Sequence, residues 1–190
     1  MRPELAELKT NLQSFINNDV IPLEPVLEAG GDAASKAMTE LKAMARERGF
    51  WAMGHPEVIG GGGLPFMDFV HLNEVIGRSY FGQMAVGSIS MQDSIMLHLY
   101  GNSEQQKRWL TPLVEGDIYP SVGLTEPEVA GSDPTLMQTT AKRDGDDWLI
   151  NGHKWFTSGA MNVNCKIMVV MGKTDPEAAR HLQQSQILVP

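Results

Sequence analysis

The stretch YPSVGLTEPEVAGSDPTLMQTTAKRDGDDWLINGHKWFTSGA, residues 119–160, decides how this chain reads. Its first part is a loop rich in small and hydroxyl residues, from Leu124 and Thr125 through Glu126 and Pro127 to Gly131, Ser132 and Asp133. Residues 135–143 and 148–157 read as strands. Between them Asp144-Gly145-Asp146-Asp147 is a turn that tolerates positive φ, so the spacing predicts a β-hairpin. The hairpin ends in Lys154-Trp155-Phe156-Thr157-Ser158-Gly159. An ordinary hairpin with a long connection accounts for Asp144-Gly145. It does not account for Thr125, Glu126, Pro127, Gly131, Ser132 and Asp133 occurring together. Backbone N–H groups around Ala130-Gly131-Ser132 can form an anion-binding nest, and Ser132 adds a hydroxyl donor suited to a pyrophosphate. Thr125 can bond the polar edge of a flat ring, and Phe156 offers a face for its apolar part.

Upstream of this stretch the pattern is helical. Leu5, Leu8, Leu12, Phe15 and Ile16 recur at helical spacing from Glu4 onward. Pro22 and Pro25 are expected to break that helix. A second helix is predicted over 35–48, with Ser35 as N-cap and Gly49 as the left-handed residue after its end. Gly60 to Pro65 reads as a loop, after which Asp68 caps a helix that carries Phe69, Leu72, Val75 and Ile76 on one face. Residues 83–100 read as one long buried helix, and Ser103 to Gln106 as a capping box. Downstream, Lys166–Gly172 (KIMVVMG) and Gln186–Pro190 (QILVP) are runs of strand length. The expected fold is therefore α+β: a helical domain over 1–118 and an incomplete antiparallel β-barrel domain over 119–190. The chain stops inside its last strand, which we read as a truncated domain with an unpaired edge.

Composition bounds the function classes. The 190 residues are 42% hydrophobic and 20% charged, with a net charge of −8, unlike the basic face that nucleic-acid binding requires. No apolar run approaches the roughly 20 residues of a membrane span, and the start MRPELAELKT is charged, unlike a signal peptide. The single cysteine, Cys165, excludes an intramolecular disulfide, fits a reducing compartment and reads as a buried thiol. Gly60-Gly61-Gly62-Gly63 lacks the Gly-Lys-Ser/Thr of a phosphate loop and reads as a connector. The five histidines show no metal-ligand spacing, and His98 reads as a packed core residue. No Gly-x-Ser-x-Gly nucleophile elbow is present.

The Leu-Thr-Glu-Pro…Gly-Ser-Asp loop, the Ile-Asn-Gly-x-Lys hairpin (150–154) and the HLYGNSEQQKRWLTPLVEGD helix (98–117) together resemble the acyl-CoA dehydrogenases. The extra residue in the spacer Glu128-Val129, with WFTSGA and the ending RHLQQSQILVP, looks like the subfamily fused to kinase-like domains in animals and free-standing in bacteria. That subfamily handles mainly longer acyl chains.

The resemblance implies FAD as cofactor, acyl-CoA as substrate and a trans-2-enoyl-CoA product. It further implies electron-transferring flavoprotein as acceptor and a homodimer or homotetramer. The location would be cytoplasmic in a bacterium, or mitochondrial or peroxisomal in a eukaryote. By position, Val122, Leu124 and Thr125 would line the flavin, with Gly131 and Ser132 by its pyrophosphate. Ser132 would also touch the acyl-CoA. Phe156, Thr157 and Ser158 would flank the isoalloxazine, Ser158 replacing a threonine that bonds flavin N5 in much of the family. Val122 stands where the family often has an aromatic residue. The family's carboxylate base belongs to a C-terminal helical domain, so no catalytic residue is expected in this chain, and it alone is expected to be inactive. Glu126 is assigned to local bonding rather than to that role. An oxidase or flavin monooxygenase of the same fold, or a non-catalytic acyl-CoA-binding or assembly module, are the alternatives.

Overall fold

A computed structural model describes residues 3–190, so the part of the charged start at Met1 and Arg2 lies outside the described residues. The chain divides between Asp117 and Ile118 into two compact units.

In the first unit, α1 (Pro3–Phe15) buries Leu5, Leu12 and Phe15. It continues through a π-type turn, Ile16–Val20, and a single 3-10 turn, Ile21–Leu23, into α2 (Glu24–Ala29). The prolines therefore retune the helix rather than break it. Pro22 and Pro25 each fall in the first turn of a new segment, where a missing N–H costs nothing. The second predicted helix starts earlier than its composition suggested. α3 runs Gly31–Glu47, and Ser35 lies inside it, its hydroxyl donating to Gly31 O at 3.1 Å instead of capping. Its end is as expected: Gly49 adopts φ 74, its N–H bonds Arg46 O, and Phe50 N–H bonds Ala45 O at 2.7 Å. This pair of bonds satisfies two carbonyls that the helix end leaves open.

α4 (Phe66–Ile76) buries Phe69, Leu72, Val75 and Ile76, the predicted face, although Pro65 rather than Asp68 occupies the N-cap. These side chains close one core with those of α1 and α3. The long helix expected over 83–100 is two pieces, α5 (Gly82–Ala85) and α6 (Met91–Tyr100). Gly87 interrupts it with φ 67. After α6, the capping box sits one residue earlier than read: Asn102 and Gln105 serve each other's backbone N–H groups at 2.9 Å. They open α7 (Ser103–Gln105), which passes through a π-type turn into α8 (Thr111–Glu115). Gln106 instead spends its amide on the carbonyls of Gly101 and His98. His98 is half-buried rather than part of the core.

Trp51 joins these helices. Its indole N–H donates to Val114 O at 3.0 Å, and the Arg46 guanidinium lies 3.6 Å above the ring. Gly87 and Gly116 press on the same ring from positive-φ backbone, where an added Cβ would lie 2.6 and 2.8 Å from indole carbons.

The second unit is a five-stranded sheet. β4 (Cys165–Lys173) is its axis. One edge pairs with β1 (Tyr119–Gly123) in parallel, and at Lys173 with Thr140 of β2 (Thr140–Asp144). Its other edge pairs antiparallel with β5 (Gln184–Val189). β3 (Asp147–Asn151) pairs antiparallel with β2, Asp144 opposite Asp147, with Gly145 at φ 64 in the tight turn. The α+β class stands, but the sheet is mixed rather than wholly antiparallel. Only the short turns force antiparallel return; the long connection over 124–164 lets β4 run parallel to β1. Cys165, at the start of β4, is half-buried rather than buried.

Replacing Gly116 by alanine combines a positive φ with a steric conflict against Trp51. It is expected to lower unfolding stability by about 2 kcal/mol, measured as a fall in the urea midpoint with unchanged m-value.

Candidate functional site

Both strands of the predicted hairpin are shorter than their residue pattern suggested, and a buried carboxylate is the main reason for the first. Glu126, only 5% exposed, accepts from Gln138 N–H at 2.7 Å and Thr139 N–H at 2.8 Å. These amides are therefore unavailable to a β-ladder, and β2 begins only at Thr140. Just before them, Asp133 Oδ1 takes Thr135 N–H at 3.0 Å, and Pro134–Leu136 winds into a 3-10 turn. On the other strand β3 ends at Asn151. Gly152 then packs so closely on Thr139 that any Cβ would collide with the threonine side chain.

Lys154 completes the arrangement. Its ammonium bonds Glu126 Oε1 at 2.8 Å and Leu124 O at 3.0 Å, and Trp155 N–H donates to Thr125 O at 3.0 Å. Burial alone would raise the Glu126 pKa. The bonds from Lys154, Thr139 and Gln138 outweigh it and hold the carboxyl down at about 2. Glu126 thus does the local bonding assigned to it. A carboxylate this acidic, with its oxygens occupied, is no proton acceptor for chemistry near neutrality.

Leu124 and Thr125 are held directly against the segment that carries Phe156, Thr157 and Ser158. A second tie runs from the Ser121 hydroxyl, beside Val122, to Ser158 O at 2.9 Å. Val122 is 44% exposed on β1. Gly131 faces Thr125 with room for a Cβ at 3.7 Å and no positive φ, so the chain's own packing does not require glycine there. Ser132 lies in the turn closed by Asp133 N–H to Ala130 O at 3.0 Å and is exposed. Among the described residues, the hydroxyls of Thr125, Ser132, Thr157 and Ser158 have no hydrogen-bond partner. Phe156 is 79% exposed, packs at a 48° tilt on Trp155 with ring centroids 4.6 Å apart, and sits at φ 52. Left-handed backbone at a bulky aromatic is a strained arrangement.

The helical unit matches the family model "Acyl-CoA dehydrogenase, N-terminal domain" over residues 2–117, and residues 121–190 match "Acyl-CoA dehydrogenase, middle domain". The chain belongs to the acyl-CoA dehydrogenase family. It is 39% identical to mouse acyl-CoA dehydrogenase family member 10, an alignment that covers the whole chain and 19% of that protein. A solved acyl-CoA dehydrogenase family structure from Mycobacterium abscessus superposes with a TM-score of 0.90 at 36% identity, covering all of this chain and 50% of the other. An acyl-CoA dehydrogenase from Bacillus anthracis, complexed with FAD, superposes at 0.70 with 25% identity, covering all of this chain and 31% of that one. The chain thus spans half, or less, of the length of these relatives.

Sequence reasoning missed the Lys154 ammonium as the partner of Glu126, and it missed Arg180, which reaches Asp133 and Thr135. Lys154 carried a signal, since it ends the Ile-Asn-Gly-x-Lys pattern of residues 150–154. Arg180 carried none. Among the described residues no group of three His, Cys, Asp or Glu is placed to hold a metal, and no helix is long and apolar enough to cross a membrane.

Because the Glu126 pKa of about 2 lies below its ordinary 4.5, its stabilising contribution is complete above pH 4.5 and is lost as pH falls through 2. Glu126→Ala, which leaves the Lys154 ammonium buried and unpaired, is expected to cost about 3 kcal/mol at pH 7. Denaturant melts should show that penalty shrinking between pH 4.5 and 2.

Proposed function

We propose that this chain forms one wall of an FAD site in an enzyme that oxidises acyl-CoA thioesters to trans-2-enoyl-CoA. The observation that carries the reading is the set of unspent groups. Residues that the fold uses, such as Glu126 and Lys154, are bonded to partners within the chain. Thr125, Ser132, Thr157 and Ser158, which lie where the family resemblance puts the cofactor, keep free hydroxyls. An exposed aromatic ring held in strained backbone beside them fits the face of a flat ring, and the open backbone at Gly131 fits close approach of a phosphate. When bound, FAD would supply the hydride acceptor, taking the β-hydrogen while the α-hydrogen leaves as a proton.

The chain's own residues bind and orient. Ser132 and the free N–H groups of its turn would hold the pyrophosphate, and Ser132 would contact the thioester ligand. Leu124 and Thr125 would hold the pyrimidine edge of the ring, Phe156 would cover its face, and the Ser158 hydroxyl would donate to a ring nitrogen. Val122, aliphatic and partly exposed, offers a smaller edge than an aromatic would and leaves more width for the acyl chain. The α-proton goes to a carboxylate other than Glu126, whose oxygens are all engaged. Electron-transferring flavoprotein is the proposed acceptor and a homo-oligomer the proposed assembly.

The test adds a long-chain acyl-CoA to the FAD-loaded protein that carries this chain, first without oxygen to read the flavin and then in air with and without electron-transferring flavoprotein. Bleaching of the yellow absorbance, with reoxidation by electron-transferring flavoprotein and little oxygen uptake, is the expected result. Rapid peroxide formation would make it an oxidase instead, and absence of flavin binding would end the reading altogether. A second test separates the fold from the site. Phe156→Gly relieves left-handed strain of about 1 kcal/mol or more, so thermal stability should not fall. FAD affinity should drop about tenfold with loss of the ring face.

A further inference from the structure

Arg180 opens the short 3-10 turn Arg180–Leu182 in the connection between β4 and β5, far in sequence from the loop after β1. Its guanidinium forks across that loop. Nε donates to Thr135 Oγ1 at 2.9 Å and an Nη to Asp133 Oδ2 at 3.1 Å. Thr135 in turn donates its hydroxyl to Asp133 Oδ1 at 2.6 Å and its N–H to the same oxygen at 3.0 Å. Thr135 Oγ1 therefore accepts from the arginine and donates to the aspartate, so the three side chains form a closed ring. Gln184, at the start of β5, adds a bond to Pro134 O at 3.1 Å. Upstream, the Ala130–Asp133 turn is closed by a single backbone bond, and Ser132 is exposed with no partner.

We infer that Arg180 is a positioning residue for the Gly131–Ser132 turn, fixing through Asp133 and Thr135 where that turn meets a pyrophosphate. The inference rests on the proposal that this turn is the pyrophosphate end of the FAD site. Arg180 touches neither the turn's hydroxyl nor its glycine. Its work is geometric, since a planar guanidinium can span two acceptors in one orientation while a lysine ammonium is a point charge. Both Arg180 and Asp133 are substantially exposed, so the clamp contributes little to global stability. Its effect falls on local order instead.

The experiment compares Arg180→Ala, Arg180→Lys, Asp133→Ala and the Arg180→Ala/Asp133→Ala pair in the full-length protein. Backbone hydrogen exchange over residues 131–136 is measured without cofactor, alongside FAD titration and thermal melts. Arg180→Ala should speed exchange at 131–136 and weaken FAD about fivefold, with the melting temperature within about 2 °C of wild type. Arg180→Lys should recover only part of the protection, and Arg180→Ala should add nothing in the Asp133→Ala background. Unchanged exchange at 131–136 overturns the clamp, whatever the flavin does. Exchange that quickens across the whole sheet, with a large drop in melting temperature, also overturns it, because Arg180 would then be a general stabiliser. Faster local exchange with unaltered FAD affinity leaves the clamp standing but removes the pyrophosphate reading beneath it.

Discussion

A buried ion pair organises the second unit of this chain. Glu126 and Lys154 meet at 2.8 Å with side chains 5% and 12% exposed, so neither can stay charged without the other and without further bonds. The further bonds carry the structural consequence. Glu126 reaches forward to the amides of Gln138 and Thr139, ending the loop and setting the first residue of β2. Lys154 reaches back to Leu124 O. One pair thus fixes both ends of the loop and the tail of the hairpin that follows it. A hydrophobic pair of equal volume would fill the space but could not select which amides and which carbonyl it held.

Around that pair, the polar groups fall into two sets. Those bonded within the chain hold the loop against the hairpin tail, and among the described residues the hydroxyls of Thr125, Ser132, Thr157 and Ser158 are left without a partner. Thr125 shows both in one residue: its carbonyl is taken by Trp155 N–H, while its hydroxyl is free. Ser158 repeats the pattern, with its carbonyl held by Ser121 and its hydroxyl free. Backbone anchored with side chain unspent is how a scaffold presents hydrogen-bonding groups to a ligand without reorganisation. Phe156 belongs to the same logic, since a left-handed aromatic persists only where flanking bonds over-determine it. Its neighbours supply them: Trp155 N–H to Thr125 O on one side and Ser158 N–H to Phe156 O on the other.

The helical unit depends on a different contact. Trp51 is enclosed by Arg46, Gly87 and Gly116 and hydrogen-bonded to Val114 O. The positive φ at Gly87 is what divides the apolar run 83–100 into two helices. A run of Met, Ile and Leu reads as continuous because hydrophobicity does not register the space an indole ring takes from the backbone.

Local chemistry was enough to read several features from the sequence. The amphipathic faces of α1 and α4, the Gly49 helix end, the Gly145 turn and the strand run of β4 follow from periodicity and from residues with restricted or permissive φ. The family was legible too, because the Thr-Glu-Pro…Gly-Ser-Asp loop and the Asn-Gly-x-Lys hairpin lie within one short stretch. The rest depended on partners distant in the chain. Strand lengths were misread because Glu126 and Asp133 take amides that a propensity pattern assigns to the ladder. β1 and β4 run parallel because a long connection permits it, which no local signal encodes. Arg180 reaches Asp133 across 47 residues, and nothing in either segment announces the other. Sequence determined which groups were present and which backbone shapes they favoured. Tertiary structure decided which of those groups the fold would consume and which it would leave free, because a hydrogen bond is satisfied by whatever partner the whole chain brings within reach.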